Sequence, residues 1–185
     1  MAAGTHCTLF DTAFGRCALA WHAHGLTAVR LPDHSDALTG ANLLARQPGA
    51  IECDVDVSVL PDFVATAVRS IRSHLAGQAH DLRDLPLDFS GIGRFEHRVY
   101  LATRALGPGQ TCTYGEMAHA LGEPAALRAV GQALGHNRWP LVIPCHRVLA
   151  AGGRLGGFSA PGGSETKRRL LVLEMGMVRR EGELF

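Results

Sequence analysis

The chain has 185 residues, 46% of them hydrophobic and 19% charged, with a net charge of +1. That length holds one medium domain or two small ones, and the composition is that of a soluble globular protein. No apolar run approaches the roughly 18 residues that would cross a membrane, and no basic region followed by an apolar core stands at the N-terminus, so no secretion signal is expected. The five cysteines (7, 17, 53, 112 and 145) are odd in number and scattered. This favours a reduced, cytoplasmic protein over a disulfide framework.

The charge is unevenly placed. Residues 1–91 carry 6 Arg against 10 Asp/Glu, a net of −4, whereas residues 92–185 carry 12 Lys/Arg against 7 Asp/Glu, a net of +5. This suits the second half alone to a polyanion, and mixed charge that simply solvates a surface gives the same pattern. Seventeen of the 18 basic residues are arginine, and Lys167 is the single lysine.

In chain order, residues 6–31 alternate as a hairpin, with Cys17, Leu19 and Trp21 on one face and a turn at Ala23-His24-Gly25. A helix is expected over 36–46, and a second strand region over Ile51 to Leu60. Pro61-Asp62 opens a helix with Phe63, Ala67, Ile71 and Leu75 on one face, and Gly77 stops it. Residues 78–91 read as a linker, dividing an α/β domain (1–88) from a mainly helical one (92–185). Histidines 6, 22, 24, 74 and 80 with Cys7 and Cys17 do not match paired-ligand spacing, so no metal is expected.

In the second half, Arg94 to Leu106 reads as a helix with Phe95, Val99, Leu101, Ala102 and Leu106 inward. Thr111-Cys112-Thr113 is extended, and Thr113-Tyr114-Gly115-Glu116 is a capping box. The helix it starts ends near Leu121-Gly122, and a second begins about Ala125, a helix-turn-helix candidate. The second helix is paved with small residues (Ala125, Ala126, Ala129, Gly131, Ala133, Gly135) and carries Arg128. Such a surface enters a DNA groove or packs closely against another helix, and composition does not choose between them.

Leu141-Val142-Ile143 reads as a short buried strand that Pro144 ends. Cys145-His146-Arg147 follows. A free thiol titrates near ~8.5 and needs a base to become nucleophilic. His146 is such a base, and Arg147 adds positive charge that favours the thiolate. A lone Cys-His pair is weak evidence, since most free cysteines are buried hydrophobes. Neighbours on a strand also face opposite ways, so the two cooperate only where the chain leaves strand geometry, or through water. Residues 150–163 form a glycine-rich loop that brings backbone N–H groups close to a ligand. Ser164 caps a helix expected to end at Gly176, leaving 177–185 as a tail. Glu174, late in that helix and disfavoured there by the macrodipole, points to a Cys–His–Glu relay.

The order Thr-Tyr-Gly-Glu, Arg-Ala-Val-Gly, Asn137, Pro-Cys-His-Arg-Val, Gly-Gly-Phe-Ser, Lys-Arg-Arg-Leu-Leu and Glu174-Met-Gly resembles the O6-alkylguanine-DNA alkyltransferases, or methylated-DNA–protein-cysteine methyltransferases. The match runs from about Phe95 to Gly176. The resemblance implies a ribonuclease-H-like α/β domain joined to a helical domain with a helix-turn-helix. It implies irreversible, single-turnover transfer of an alkyl group from O6-alkylguanine, with O4-alkylthymine a further substrate, in double-stranded DNA to Cys145, by a monomer without cofactor. His146 would take the thiol proton through a water, with Glu174 orienting it and Asn137 holding the turn. Tyr114 would sit by the flipped guanine, and Arg128 would fill the gap in the duplex. Thr113, Ala126, Ala129 and Gly131 would face DNA. Gly157, Phe158, the amide of Ser159 and the carbonyls of Cys145 and Val148 would surround the base. Arg138-Trp139 after Asn137, the longer 157–163 loop and Gly93-Arg94-Phe95-Glu96 depart from the family pattern. A damage sensor, an alkyltransferase for a non-standard substrate and a cysteine hydrolase are the competing readings; sensors of this kind lack the acceptor cysteine.

Overall fold

A computed structural model describes residues 4–53, 59–78 and 80–182. The chain divides into two compact units, Met1–Phe89 and Ser90–Phe185.

The first unit is built on a mixed sheet. Strands β1 (His6–Thr12), β2 (Gly15–His22) and β3 (Gly25–Arg30) form an antiparallel meander. The expected hairpin is therefore three strands, because Ala13-Phe14 makes a second turn. Helix α1 (Asp36–Arg46), capped by the Ser35 side chain, falls where the sequence places it. β4 (Ile51–Glu52) then pairs parallel to β1, giving the order β3-β2-β1-β4. Of the rest of that expected strand, residues 54–58, with Asp54 and Asp56, lie outside the described residues, whereas Cys53 is no longer paired as strand and Val59 and Leu60 form a turn and bend leading to Pro61. Helix α2 (Asp62–Leu75) begins after Pro61 and buries Val64, Ala67, Val68, Ile71 and Leu75.

Both faces of the sheet are covered, so β2 is buried continuously from Cys17 to Trp21. Leu43 of α1 packs with Cys7, Ala18, Ala20 and Ala28. The pleat sends Cys17, Leu19 and Trp21 to the opposite face. There α2 packs on β1, and the Arg72 guanidinium lies 5.7 Å from the Phe10 ring centre. The expected linker is partly structural: Leu82 and Leu85 are buried, and Leu26 exchanges backbone bonds of 2.9 Å with Pro86 and Asp88. Gly25 permits this approach, since a Cβ there would stand 2.9 Å from the Pro86 carbonyl oxygen.

The second unit is mainly helical. Helix α3 (Arg94–Arg104) buries Val99, Tyr100 and Thr103. Leu101, expected inside, is 47% exposed, and Tyr100 takes the inner place, donating from its hydroxyl to the Ala133 carbonyl at 2.9 Å. β5 (Cys112–Thr113) leads into α4 (Tyr114–Ala120). The capping box is present: Glu116 N–H donates to the Thr113 hydroxyl at 3.1 Å, and Thr113 N–H donates to the Glu116 carboxylate at 2.6 Å. A three-ten turn (Pro124–Ala126) precedes α5 (Leu127–Gly135). After the turn at Cys145–Arg147, β6 (Val148–Leu149) pairs parallel to β5.

Two expectations fail here. Leu141-Val142-Ile143 is buried but is not a strand. Leu141 has φ +74°, and the Ile143 N–H closes a turn onto the Trp139 carbonyl at 2.8 Å. Buried apolar turns and buried strands share one hydrophobic signature. The final helix α6 (Gly163–Gly182) also runs past Gly176, with Ser164 inside it rather than capping it. A glycine costs a helix only about 1 kcal/mol. Here Met177 is buried beyond it, and Val178 closes on Gly109, where a Cβ would stand 2.6 Å from its methyl. Glu174 is therefore mid-helix, and the macrodipole argument for it lapses.

The Cys17 thiol generates a testable effect. Burial pushes it up to about 12, against a weaker opposing hydrogen bond from Thr12. A raised folded-state value stabilises the protein fully below the unfolded thiol's titration and loses that contribution as pH rises toward 12. Cys17→Val should therefore flatten the fall in urea midpoint between about pH 9 and pH 12, relative to the unmodified protein.

Candidate active site

The acceptor turn is assembled from backbone first. Pro144 has φ −79° and ψ 64°, and the Cys145 N–H donates back to the Ile143 carbonyl at 2.8 Å. This is an inverse γ-turn. The Arg147 N–H then donates to the Pro144 carbonyl at 2.9 Å, opening a three-ten turn over Cys145–Arg147. The chain thus leaves strand geometry at the cysteine, as cooperation between Cys145 and His146 requires.

Asn137 holds this turn from behind. Its side-chain amide donates to the Ile143 carbonyl at 2.8 Å and to Cys145 Sγ at 3.2 Å. Its Oδ1 accepts the Trp139 N–H at 2.9 Å. The residue two places after Asn137 thus supplies an N–H that closes an Asx turn. Trp139 is fully buried, edge-on to Tyr100 at 6.0 Å between ring centres.

Behind the thiol lies a buried charged cluster. His146 and Glu174 are both fully buried, with His146 Nε2 2.9 Å from Glu174 Oε1. The Arg147 guanidinium grips the same carboxylate at 2.9 and 2.7 Å and donates a further bond to the Leu106 carbonyl. Arg147 is thus committed to Glu174 rather than to the thiol. A buried carboxylate is tolerable only when paired and hydrogen-bonded, and Glu174 has both.

The cation nearest in effect to the thiol is Lys167. It is fully buried on α6, where Lys167, Leu170, Glu174 and Met177 form the inner face. Its ammonium donates to the Val148 carbonyl at 2.7 Å and the Gly157 carbonyl at 3.3 Å, and lies 5.9 Å from the Tyr114 ring centre. Burial raises the Cys145 thiol above its ordinary value. The Asn137 amide, then the Lys167 charge, then the N–H groups of Cys145 and His146 pull it back. Burial likewise raises the Tyr114 phenol.

Cys145 opens onto a cavity of about 270 Å³ lined by Tyr114, Gly131, Leu134, Gly135, Cys145, Gly157, Phe158 and Ser159. A Cβ added to Gly131, Gly135 or Gly157 would meet nothing within 4 Å, so these glycines leave the wall open. Tyr114, Cys145, Gly131, Gly157, Phe158 and Ser159 are thus brought together, with Asn137, His146 and Glu174 behind the cysteine. Val148 is buried and does not line the cavity; its carbonyl is held by Lys167. Arg128 is exposed on α5, and Thr113, Ala126 and Ala129 are partly exposed. These four do not line the cavity. Leu134, Gly135 and Lys167 were not legible as site residues. Lys167 alone carried a signal, as the single lysine among seventeen arginines.

Residues 94–176 match the family model described as 6-O-methylguanine DNA methyltransferase, DNA binding domain. The methylated-DNA–protein-cysteine methyltransferase of Mycobacterium tuberculosis is 33% identical over 180 residues, covering 97% of this chain and 98% of that one. The chain belongs to the methylated-DNA–protein-cysteine methyltransferase family. The crystal structure of Mycobacterium tuberculosis OGT in complex with DNA superposes with a TM-score of 0.71 at 32% identity, covering 93% of this chain and 94% of that one. The fold is shared as well with the O6-methylguanine-DNA methyltransferase of Pyrococcus kodakaraensis, at TM-score 0.67 and 24% identity, over 91% and 98% of the two chains.

Two outcomes follow from the buried bonds. Asn137→Ala removes the amide bond to the Ile143 carbonyl and the side-chain acceptor of the Trp139 N–H, and should cost roughly 1–3 kcal/mol in urea unfolding. Arg147→Met leaves Glu174 with one partner fewer and should cost roughly 3–5 kcal/mol in urea unfolding.

Proposed function

We propose that Cys145 is the alkyl acceptor in single-turnover repair of O6-alkylguanine in double-stranded DNA. DNA repair by alkyl transfer to a protein cysteine is the activity of this chain; the proposal assigns its atoms. The observation that carries it is the opening of Cys145 onto the cavity with the His146–Glu174 pair buried behind.

Guanine in a duplex hides its O6 substituent, so the base must be extruded, at a cost of a few kcal/mol. In the cavity, the Cys145 proton passes to His146 through a water, and Glu174 holds the imidazole. The thiolate sulfur then bonds the alkyl carbon while the carbon–O6 bond breaks. Its electron pair leaves with guanine, which takes up a proton with Tyr114 assisting on the N3 side. The product is a thioether. No group in the site reverses that bond, so each molecule acts once. The Ser159 amide meets O6, and the carbonyls of Cys145 and Val148 meet the exocyclic amine. The Val148 carbonyl has a second lone pair free of Lys167 for this.

DNA meets the protein through α4 and α5, read as a helix-turn-helix. The open glycines and alanines of α5 support close approach to the groove, and Arg128 enters the gap left by the flipped base. Thr113, Ala126, Ala129 and Gly131 belong to this surface. The first unit, with three antiparallel strands and a fourth parallel to β1, fits a ribonuclease-H-like scaffold and serves as structure. The protein works as a monomer.

The decisive measurement is intact mass after incubation with an O6-methylguanine duplex. A permanent gain of one CH2 that disappears in Cys145→Ser is expected. Tight binding without mass gain would instead mark a damage sensor, and repeated product release a cysteine hydrolase. Arg128→Ala should slow repair of duplex DNA by at least tenfold more than reaction with free O6-benzylguanine. Equal losses would remove Arg128 from the duplex gap.

A further inference from the structure

Lys167 is the one charged side chain in the second unit that is fully buried and has no carboxylate partner among the described contacts. Transferring an ammonium from water into a protein interior is costly, and lysine usually loses its charge there. Here the cost is partly offset by two carbonyls and the face of an aromatic ring, each of which belongs to a different wall of the site. The Val148 carbonyl leads out of the acceptor turn, whose Cys145 carbonyl accepts the Val148 N–H. The Gly157 carbonyl sits in the glycine-rich loop, and Tyr114 opens α4. An arginine would project a planar fork of five donors. Lysine is the compact point charge that fits between two carbonyls and a ring.

Resting on the reading of Cys145 as acceptor, we propose that Lys167 is a positioning residue. It ties the acceptor turn, the 157 loop and Tyr114 into one pocket wall, and it is the fixed positive charge that stabilises the Cys145 thiolate.

The surroundings of the thiol single Lys167 out. Tyr114 lines the cavity with Cys145, and Tyr100 on α3 is close enough to feel the thiolate; as a phenolate, either would be negative. His146 is held by Glu174, and Arg147 is bound to the same carboxylate. Lys167 is thus the cation whose charge acts on the thiol. The influence is mutual: burial lowers the Lys167 ammonium, and the Cys145 thiolate raises it again. The ammonium and the thiolate therefore stabilise each other. Lys167 moves no proton in the reaction; the thiol proton still leaves to His146.

The test exploits the single lysine. In protein labelled only at lysine side-chain nitrogen, one resonance reports Lys167. It should step with pH at the same midpoint at which iodoacetamide, followed by mass on the Cys145 peptide, begins to alkylate the thiol. The step should vanish in Cys145→Ser. In Lys167→Met the alkylation midpoint should rise by about one pH unit. A Lys167 resonance that ignores the thiol titration would overturn the proposal, as would an unmoved midpoint in folded Lys167→Met. Neither arm uses DNA. Failure here with intact methyl uptake would sink the role of Lys167 alone, whereas absent methyl uptake in the unmodified protein would sink the acceptor reading.

Discussion

The site depends on one buried carboxylate. Glu174 is fully enclosed, and a lone ionised carboxylate in that position would be far too costly to keep. Two neighbours in sequence, His146 and Arg147, are turned inward to pair with it. This requirement fixes the three-ten turn at Cys145–Arg147, because an extended chain would send these two side chains to opposite faces. The same guanidinium reaches the Leu106 carbonyl, coupling the loop after α3 to the acceptor turn. A bidentate fork is needed for that, which only arginine supplies.

A second constraint opposes the first. Burial that makes the Glu174 cluster rigid also makes the thiol harder to ionise. The site answers with short-range polar groups rather than exposure. The Asn137 amide, the turn's own N–H groups and the Lys167 ammonium all favour the thiolate, yet burial still outweighs them in the protein without DNA.

Much of this was legible in the sequence, and the parts that were not share a cause. The capping box at Thr113–Glu116, the helix after Pro61 and the link between His146 and Glu174 rest on local spacing or on recognisable residue order, and all three stand in the structure. The first unit's meander was misread as a hairpin because both faces of the sheet are covered, which erases the alternation that marks strand ends in β2. Leu141 to Ile143 failed for a related reason: a wholly buried turn has the composition of a buried strand. Gly176 failed because a weak local signal was overruled by packing of Met177 and Val178. Leu101 and Tyr100 exchanged places because the tyrosine hydroxyl has a buried carbonyl to meet, which no periodicity reveals.

The arginine bias of the chain takes on meaning in this light. Arginine serves where a charge must grip a planar partner, as Arg147 grips Glu174. The single lysine stands where that does not apply. At its site the partners are two carbonyls and an aromatic face, each from a different segment of the chain. A guanidinium could satisfy one pair of acceptors in its own plane and would leave other donors buried without partners, at roughly 1–3 kcal/mol each. Lys167 belongs to the Lys-Arg-Arg-Leu-Leu run, yet residue order alone assigned it no role; its standing as the single lysine marks it, and it sits where a compact point charge suits the partners.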